Sequence, residues 1–407
     1  MPFLIGLIAS QKLYLVGELY VGEVMAVAYV VSNIKRLFFG KNEKTIIAFS
    51  MLWAAAQLVS DILNKNDISD SIKGIFSPVV FIISFIFLNN YARINFARVP
   101  SLLTGVAVGG LIQLFLHPNE FFIFNPWKWG VGHAVIGIFV IYFSFYLKNK
   151  NNLFLFSALI VFLGITLLFD SRGMAIFPVL AALAYKKYYG KNVSGLSRRL
   201  SGEFTGFKIL LIAIPSIFIL NSAASALFSS EIVLSRLTSY AAAKYKIQAT
   251  GSFGILLGGR SEILVSSKAF LDKPLLGHGS WPKDKSKYLD EYSMLITKYG
   301  YSLREDGGYE DIEERPLIPT HSFLMGALVW AGVVGGIFWL IVLNTTLKIF
   351  IKDLNLFPLY YYVGMLGLVW NIFFSPFSAD ARWSTAVFLA AFFSFFNYLK
   401  FNPELAS

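Results

Sequence analysis

Three side chains in this sequence stand where they could do chemistry. Arg172 sits in Asp170-Ser171-Arg172-Gly173, a polar break between two apolar runs. Arg260 follows Gly258-Gly259 and precedes Ser261-Glu262 at a predicted helix start. His321 stands in Pro319-Thr320-His321-Ser322, where a long polar stretch meets the next apolar run. A guanidinium gives phosphate a planar, bidentate grip that an ammonium cannot give. Backbone N–H groups at a helix start add to such an oxyanion seat. An imidazole, with an ordinary pKa of about 6.5, can accept a proton near neutral pH. Together these residue types can hold a phosphorylated group and deprotonate a hydroxyl.

Each also has a plainer reading. Asp170 can pair with Arg172 and, like Ser171, cap the following helix. Arg260 can make a surface contact with Glu262 or Asp272. A lone histidine at a membrane interface often serves as an amphipathic anchor, which would suffice for His321. His278, in Pro274-Leu275-Leu276-Gly277-His278-Gly279, reads equally as a loop residue between two glycines. The residues alone leave these alternatives open.

Other chemistries have less to stand on. The four histidines, at 117, 133, 278 and 321, show no i, i+4 pairing, and no HExxH or Asp-x-Asp motif is present. The acidic run from Glu305 to Glu314 reads as a solvated loop. Gly105, Gly109 and Gly110 lie inside an apolar run, where small residues allow helix packing rather than cradle a nucleotide. With no cysteine, disulfides, iron–sulfur clusters and thiolate zinc sites are excluded.

The elements that must position these residues are membrane spans. Of 407 residues, 56% are hydrophobic and only 14% charged, and mean hydropathy is +0.62. Soluble domains carry about 25% charged residues. The apolar residues also come in long runs, so an all-α polytopic membrane protein of 11–12 helices is expected. The spans are predicted at residues 13–33, 45–63, 74–88, 99–116, 131–147, 153–169, 174–185, 207–221, 321–343, 357–376 and 383–399, with residues 1–10 a partial span. That opening segment has no basic leader or small-residue cleavage site, so no removable signal peptide is read there. The aromatic residues, 17% of the chain, include Trp127, Trp129 and Tyr360 to Tyr362 at predicted interfaces, where they serve as anchors.

The net charge of +11 lies mostly in short loops that alternate along the chain, so it sets orientation and does not imply a nucleic-acid partner. Lys35, Arg36, Lys41 and Lys44 share one side with Arg93, Arg98, Lys148, Lys150, Lys186, Lys187, Lys348 and Lys352. The positive-inside rule makes that side cytoplasmic. Residues 223–320 then form one large external loop, balanced at twelve basic and twelve acidic residues. Helices are expected within it at residues 231–248, 261–272 and, more weakly, 286–299. The membrane domain divides into residues 1–222 before the loop and 321–407 after it.

With these pieces in order, the chain resembles the O-antigen polymerase and ligase family of bacterial envelope glycosyltransferases. The resemblance rests on Asp170-Ser171-Arg172-Gly173, on Gly259-Arg260-Ser261-Glu262, on Pro274 to Gly279, and on His321-Ser322 followed by Gly332 and Gly335. These motifs cover the second half of the chain; the first half agrees in topology. Two positions depart from the family pattern. Trp330 stands where a glutamate is common, and Ser322 replaces a frequent asparagine.

The resemblance implies transfer of a glycan from an undecaprenyl-pyrophosphate carrier to a sugar hydroxyl, with inversion and without metal, nucleotide sugar or other cofactor. It implies that Arg172 and Arg260 hold the pyrophosphate and that His321 is the general base. Gly277, His278, Gly279 and Ser322 would complete the substrate site. It further implies a multi-pass protein of the bacterial inner membrane whose active site faces the periplasm. The bilayer itself would bind the carrier, and a polymerase would work with a chain-length regulator. Polymerase is preferred because varied repeat units demand divergent enzymes. A ligase acting on lipid A-core, or a flippase of the same lipid-linked sugars, are the alternatives.

Overall fold

The computed structural model describes residues 1–15, 17–94, 96–147, 152–169, 172–189, 262–289 and 317–401, with residues 222, 225–226, 229–235, 242, 246 and 249. The protein is a helical membrane protein. It opens with α1 (Pro2–Ala9), a hairpin of β1 (Lys12–Leu15) and β2 (Gly17–Tyr20), and α2 (Val21–Asn33). Then come α3 (Lys41–Asn64), α4 (Ile68–Ile94), α5 (Val99–Leu116) and the short α6 (Glu120–Phe124). A π-helical turn (Trp127–Val131) leads into α7 (Gly132–Phe145), followed by α8 (Asn152–Leu168) and α9 (Arg172–Tyr188). The remaining elements are α10 (Glu231–Leu234), α11 (Glu262–Asp272), α12 (Phe323–Lys352), α13 (Leu359–Phe374) and α14 (Ala379–Phe401).

Among the described residues six helices are long and apolar enough to cross a bilayer: α3, α4, α5 with its lead-in, α7 with its π turn, α12 and α14. The apolar helices α8 and α13 are shorter. The expected span at residues 207–221 lies outside the described residues, as do most of the helices expected at 231–248 and 286–299.

The expected first span at 13–33 is corrected. Residues 12–20 form a hairpin, Lys12 opposite Tyr20 and Leu15 opposite Gly17, and only the thirteen residues of α2 are helical. Gly17 turns the chain at φ +94°. The helix α1 packs along α5 at backbone contact. A side chain at Gly105 would overlap the Phe3 carbonyl, and one at Gly109 the Leu7 carbonyl. Small residues permit such approach where lipid supplies no hydrophobic drive between helices.

The expected ninth span at 321–343 is corrected too. α12 has thirty residues, about 45 Å of helix and half as long again as a bilayer core needs. It breaks at Gly332, whose φ of 64° and ψ of −159° are open to glycine and strained for other residues. Beyond the break the two arms fold back on each other. The Ala327 carbonyl lies where a Gly335 side chain would project, the Leu328 side chain crowds Gly336, and the Phe323 and Trp339 rings are 4.8 Å apart. Residues 333–352, twenty in number, are the spanning arm, and residues 323–331 re-enter beside it.

The core lies where α3, α4, α12 and α14 meet. Trp53, Phe81, Phe338, Trp339 and Phe377 interlock there at centroid separations of 4.9 to 6.0 Å.

Candidate active site

The re-entrant arm carries His321 inward. Phe323 is level with Trp339, which lies seven residues and about 10 Å of helix rise beyond the Gly332 tip. Ser322 fixes the start of the arm. Its hydroxyl accepts from the Met325 N–H (3.0 Å) as the helix cap and donates to the Ile372 carbonyl of α13 (2.7 Å). Both roles of that hydroxyl are spent on the fold, so Ser322 positions its neighbour. The His321 side chain is 46% exposed and opens onto a small hollow whose walls include Ile263, Ser266, Met325, Phe373 and Phe374. Across it, Glu262 at the start of α11 places Oε1 3.9 Å from His321 Nδ1. Its other oxygen is buried and has no hydrogen-bond partner among the described residues.

The Gly277-His278-Gly279 motif lies at the other end of α11 and closes the broken helix. The His278 N–H donates to the Val329 carbonyl (2.7 Å) and the Gly279 N–H to the Trp330 carbonyl (3.0 Å). In return the Val333 N–H donates to the Pro274 carbonyl (2.8 Å). Non-helical backbone inside an apolar segment survives only when protein groups satisfy it, and this strap does so. Gly277 and Gly279 have φ of +72° and +82°, and a Cβ on Gly277 would strike Trp330 and Gly332 backbone. The glycines are therefore required by close approach. The Trp330 ring packs at the tip, tilted, against Trp281, with centroids 5.2 Å apart. An acid there would stand nine residues along the arm from His321.

His278 joins the strap to α11. Its Nε2 donates to the Ala269 carbonyl (2.8 Å), its ring meets Tyr288 edge-on, and burial lowers its pKa from 6.5. Between them Val265, Ala269, Ile318 and Val329 pack as a second, smaller core. From α3, Asp61 receives the Ser280 N–H (2.5 Å) and hydroxyl (2.7 Å) and Asn64 donates to the Gly277 carbonyl, while Asn66, just past the helix end, donates to the His278 carbonyl. Asp61 is only 2% exposed, so these bonds are what make its burial tolerable. The strap thus reaches from α3 to the hairpin tip and holds α11 against the re-entrant arm. Sequence reasoning missed this use of Asp61, whose signal was a carboxylate in the last turn of an apolar helix.

Arg172 is the first residue of α9. α9 runs antiparallel to α13: Phe177 meets Trp370 at 5.2 Å and Tyr185 meets Tyr362 at 5.5 Å. That register brings the start of α9 level with Ser375, beside the end of α13 whose Phe373 and Phe374 wall the His321 hollow. The structure therefore brings the backbone of Arg172 and the ring of His321 to the same end of α13. Gly277, His278 and Gly279 stand apart at the hairpin tip. Arg260 lies outside the described residues; Glu262 follows it by two positions.

A second polar cluster lies at the start of α14. Arg382 forms a two-point pair with Glu23, Nε to Oε1 at 2.7 Å and a terminal nitrogen to Oε2 at 2.9 Å, and both side chains are under 10% exposed. The Tyr20 N–H also donates to Glu23, and the Tyr20 hydroxyl to Asp380. Lys12 bridges Asp380 (2.7 Å) and Glu18 (2.9 Å). Burial pulls the Lys12 ammonium down, but the Asp380 and Glu18 carboxylates outweigh it and its pKa is raised. This cluster clamps the hairpin to α14.

Among the described residues no three carboxylate or imidazole side chains gather as a metal site. No family model, no curated protein and no solved structure matches this chain.

Proposed function

We propose that this protein is a membrane glycosyltransferase of the O-antigen polymerase type. It would transfer an undecaprenyl-pyrophosphate-linked glycan to the terminal sugar hydroxyl of another lipid-linked repeat unit. The observation that carries the reading is the half-exposed His321, faced by the Glu262 carboxylate across a small hollow beside the re-entrant arm. A mere interfacial anchor needs no facing acid, whereas a base that takes a hydroxyl proton is served by one.

In this reaction the acceptor oxygen attacks the anomeric carbon while His321 takes its proton. The bond from that carbon to the pyrophosphate oxygen breaks, and the carrier leaves with the electron pair as undecaprenyl pyrophosphate. Attack opposite the leaving group inverts the configuration. Arg172 and Arg260 stabilise the charge that grows on the pyrophosphate, and their planar donors suit it in two-point contact. The hollow would face the periplasm of a bacterial inner membrane, where such donors are presented, and a chain-length regulator would be its protein partner.

Purified protein should extend a lipid-linked oligosaccharide in detergent, where transport has no meaning. Arg172→Ala, Arg260→Ala and His321→Ala should each retain donor binding and lose product. Product formation at the wild-type rate in His321→Ala would remove the base from this scheme. Transfer to lipid A-core in place of a second repeat unit would make the enzyme a ligase.

A further inference from the structure

Among the described residues the carboxylate facing His321 makes no other ion pair or side-chain hydrogen bond. Glu262 Oε1 is 3.9 Å from the ring nitrogen Nδ1, and the buried Oε2 has no hydrogen-bond partner among the described residues. A buried acceptor without a donor is costly, so its placement calls for a reason. The helix bearing it is held firmly. Ala269 of α11 accepts from His278, and Val265 and Ala269 pack against Val329 of the re-entrant arm. Ser322 pins the start of that arm to α13. Acid and ring are thus mounted on two helices tied to each other at their far ends. An approach of about 1 Å makes their contact a hydrogen bond, and catalytic hydrogen bonds often tighten only when substrate is bound.

Building on the reading of His321 as base, we infer that Glu262 is its positioning residue. The carboxylate takes the Nδ1–H, fixes that tautomer and leaves Nε2 bare to accept the proton of the attacking hydroxyl. Once the proton has moved, the carboxylate faces an imidazolium and stabilises it, as the third member of a catalytic triad does. The proton passes from the acceptor oxygen to Nε2, and Glu262 stays ionised throughout.

The test reads the ring directly. Full-length protein labelled with 15N-histidine carries four imidazoles, and the His321 signals are those lost in His321→Asn. At alkaline pH the wild-type ring should show protonated Nδ1 and bare Nε2, and Glu262→Ala should move it towards the Nε2–H form. A tautomer that is the same with and without the carboxylate overturns the inference. Glu262→Gln keeps the side-chain shape and an acceptor oxygen but no charge. It should lower kcat at least tenfold, part of the roughly 10²–10⁴ that a positioned base contributes, with KM within about twofold. Wild-type kcat in that variant also overturns the inference. If the wild type transfers no glycan, the proposed function fails, while the ring measurement still decides what Glu262 does.

Discussion

The two polar clusters beside α12 and α14 are built on opposite plans. Around Arg382 each charged group meets a partner within 3 Å, and the central pair is buried. Around His321 the facing carboxylate stands 3.9 Å away, the ring is half exposed and, among the described residues, one carboxylate oxygen has no hydrogen-bond partner. At the centre of the closed cluster Arg382 and Glu23 are spent on each other out of reach of solvent, whereas beside His321 a carboxylate oxygen lacks a donor among the described residues. Buried charge therefore marks function only when its partners leave something unsatisfied. By that criterion Arg382, the better-paired arginine, holds the fold, and the poorly paired histidine is the group kept for a substrate.

Substitutions should separate the two clusters. Arg382→Ala strands Glu23 in a buried site and should cost about 3–5 kcal/mol, read as a large fall in the thermal midpoint and in the yield of folded protein. Gly332→Ala should come next. Its φ of 64° is unfavourable for alanine and its Cβ would overlap the Leu275 carbonyl, so a loss of about 2 kcal/mol is expected, together with looser protection of the strap amides in hydrogen exchange.

His278 should give a smaller, pH-dependent effect. Its folded pKa lies below the unfolded value near 6.5, so below that pH the unfolded chain binds the proton more readily. The stabilisation is complete above about pH 6.5 and is lost as pH falls towards the folded pKa. The stability difference between wild type and His278→Gln should therefore shrink between pH 7.5 and pH 5. A constant difference would exclude the titration. His321→Ala should move stability least, within about 0.5 kcal/mol as for other exposed positions, while abolishing transfer. A large loss of stability there would return His321 to the structural class that Arg382 represents.

Much of this was legible in the sequence. Hydropathy alone marks the segments that become α3, α4, α5, α7 and α14, because burial in lipid demands long apolar helices. It failed where backbone geometry decides. Residues 12–20 are apolar enough for a span, but Gly17 reverses the chain and the hairpin is pinned by Lys12 and Tyr20, whose partners lie some 360 residues away. The run from Phe323 to Lys352 reads as one helix because hydropathy does not register a positive φ. Its clue was excess length combined with Gly332. For the site, the motif Pro274 to Gly279 was visible, but its task depends on Asp61, Asn64 and Asn66, which no local pattern ties to it. Glu262 was visible as a surface partner for Arg260 and as part of the Gly259-Arg260-Ser261-Glu262 motif, and not as the acid facing His321, which is 59 positions further on.

The order of synthesis suits the fold-back in α12. The carbonyls bared at Val329 and Trp330 need donors that lipid cannot supply. Those donors, at 278 and 279, and the Asp61 and Asn66 side chains that hold their loop are all made before the hairpin leaves the ribosome. The bent helix can thus be capped as it enters the bilayer. A chain shortened to its apolar segments, without the strap, would deliver the same thirty residues with no reason to turn back.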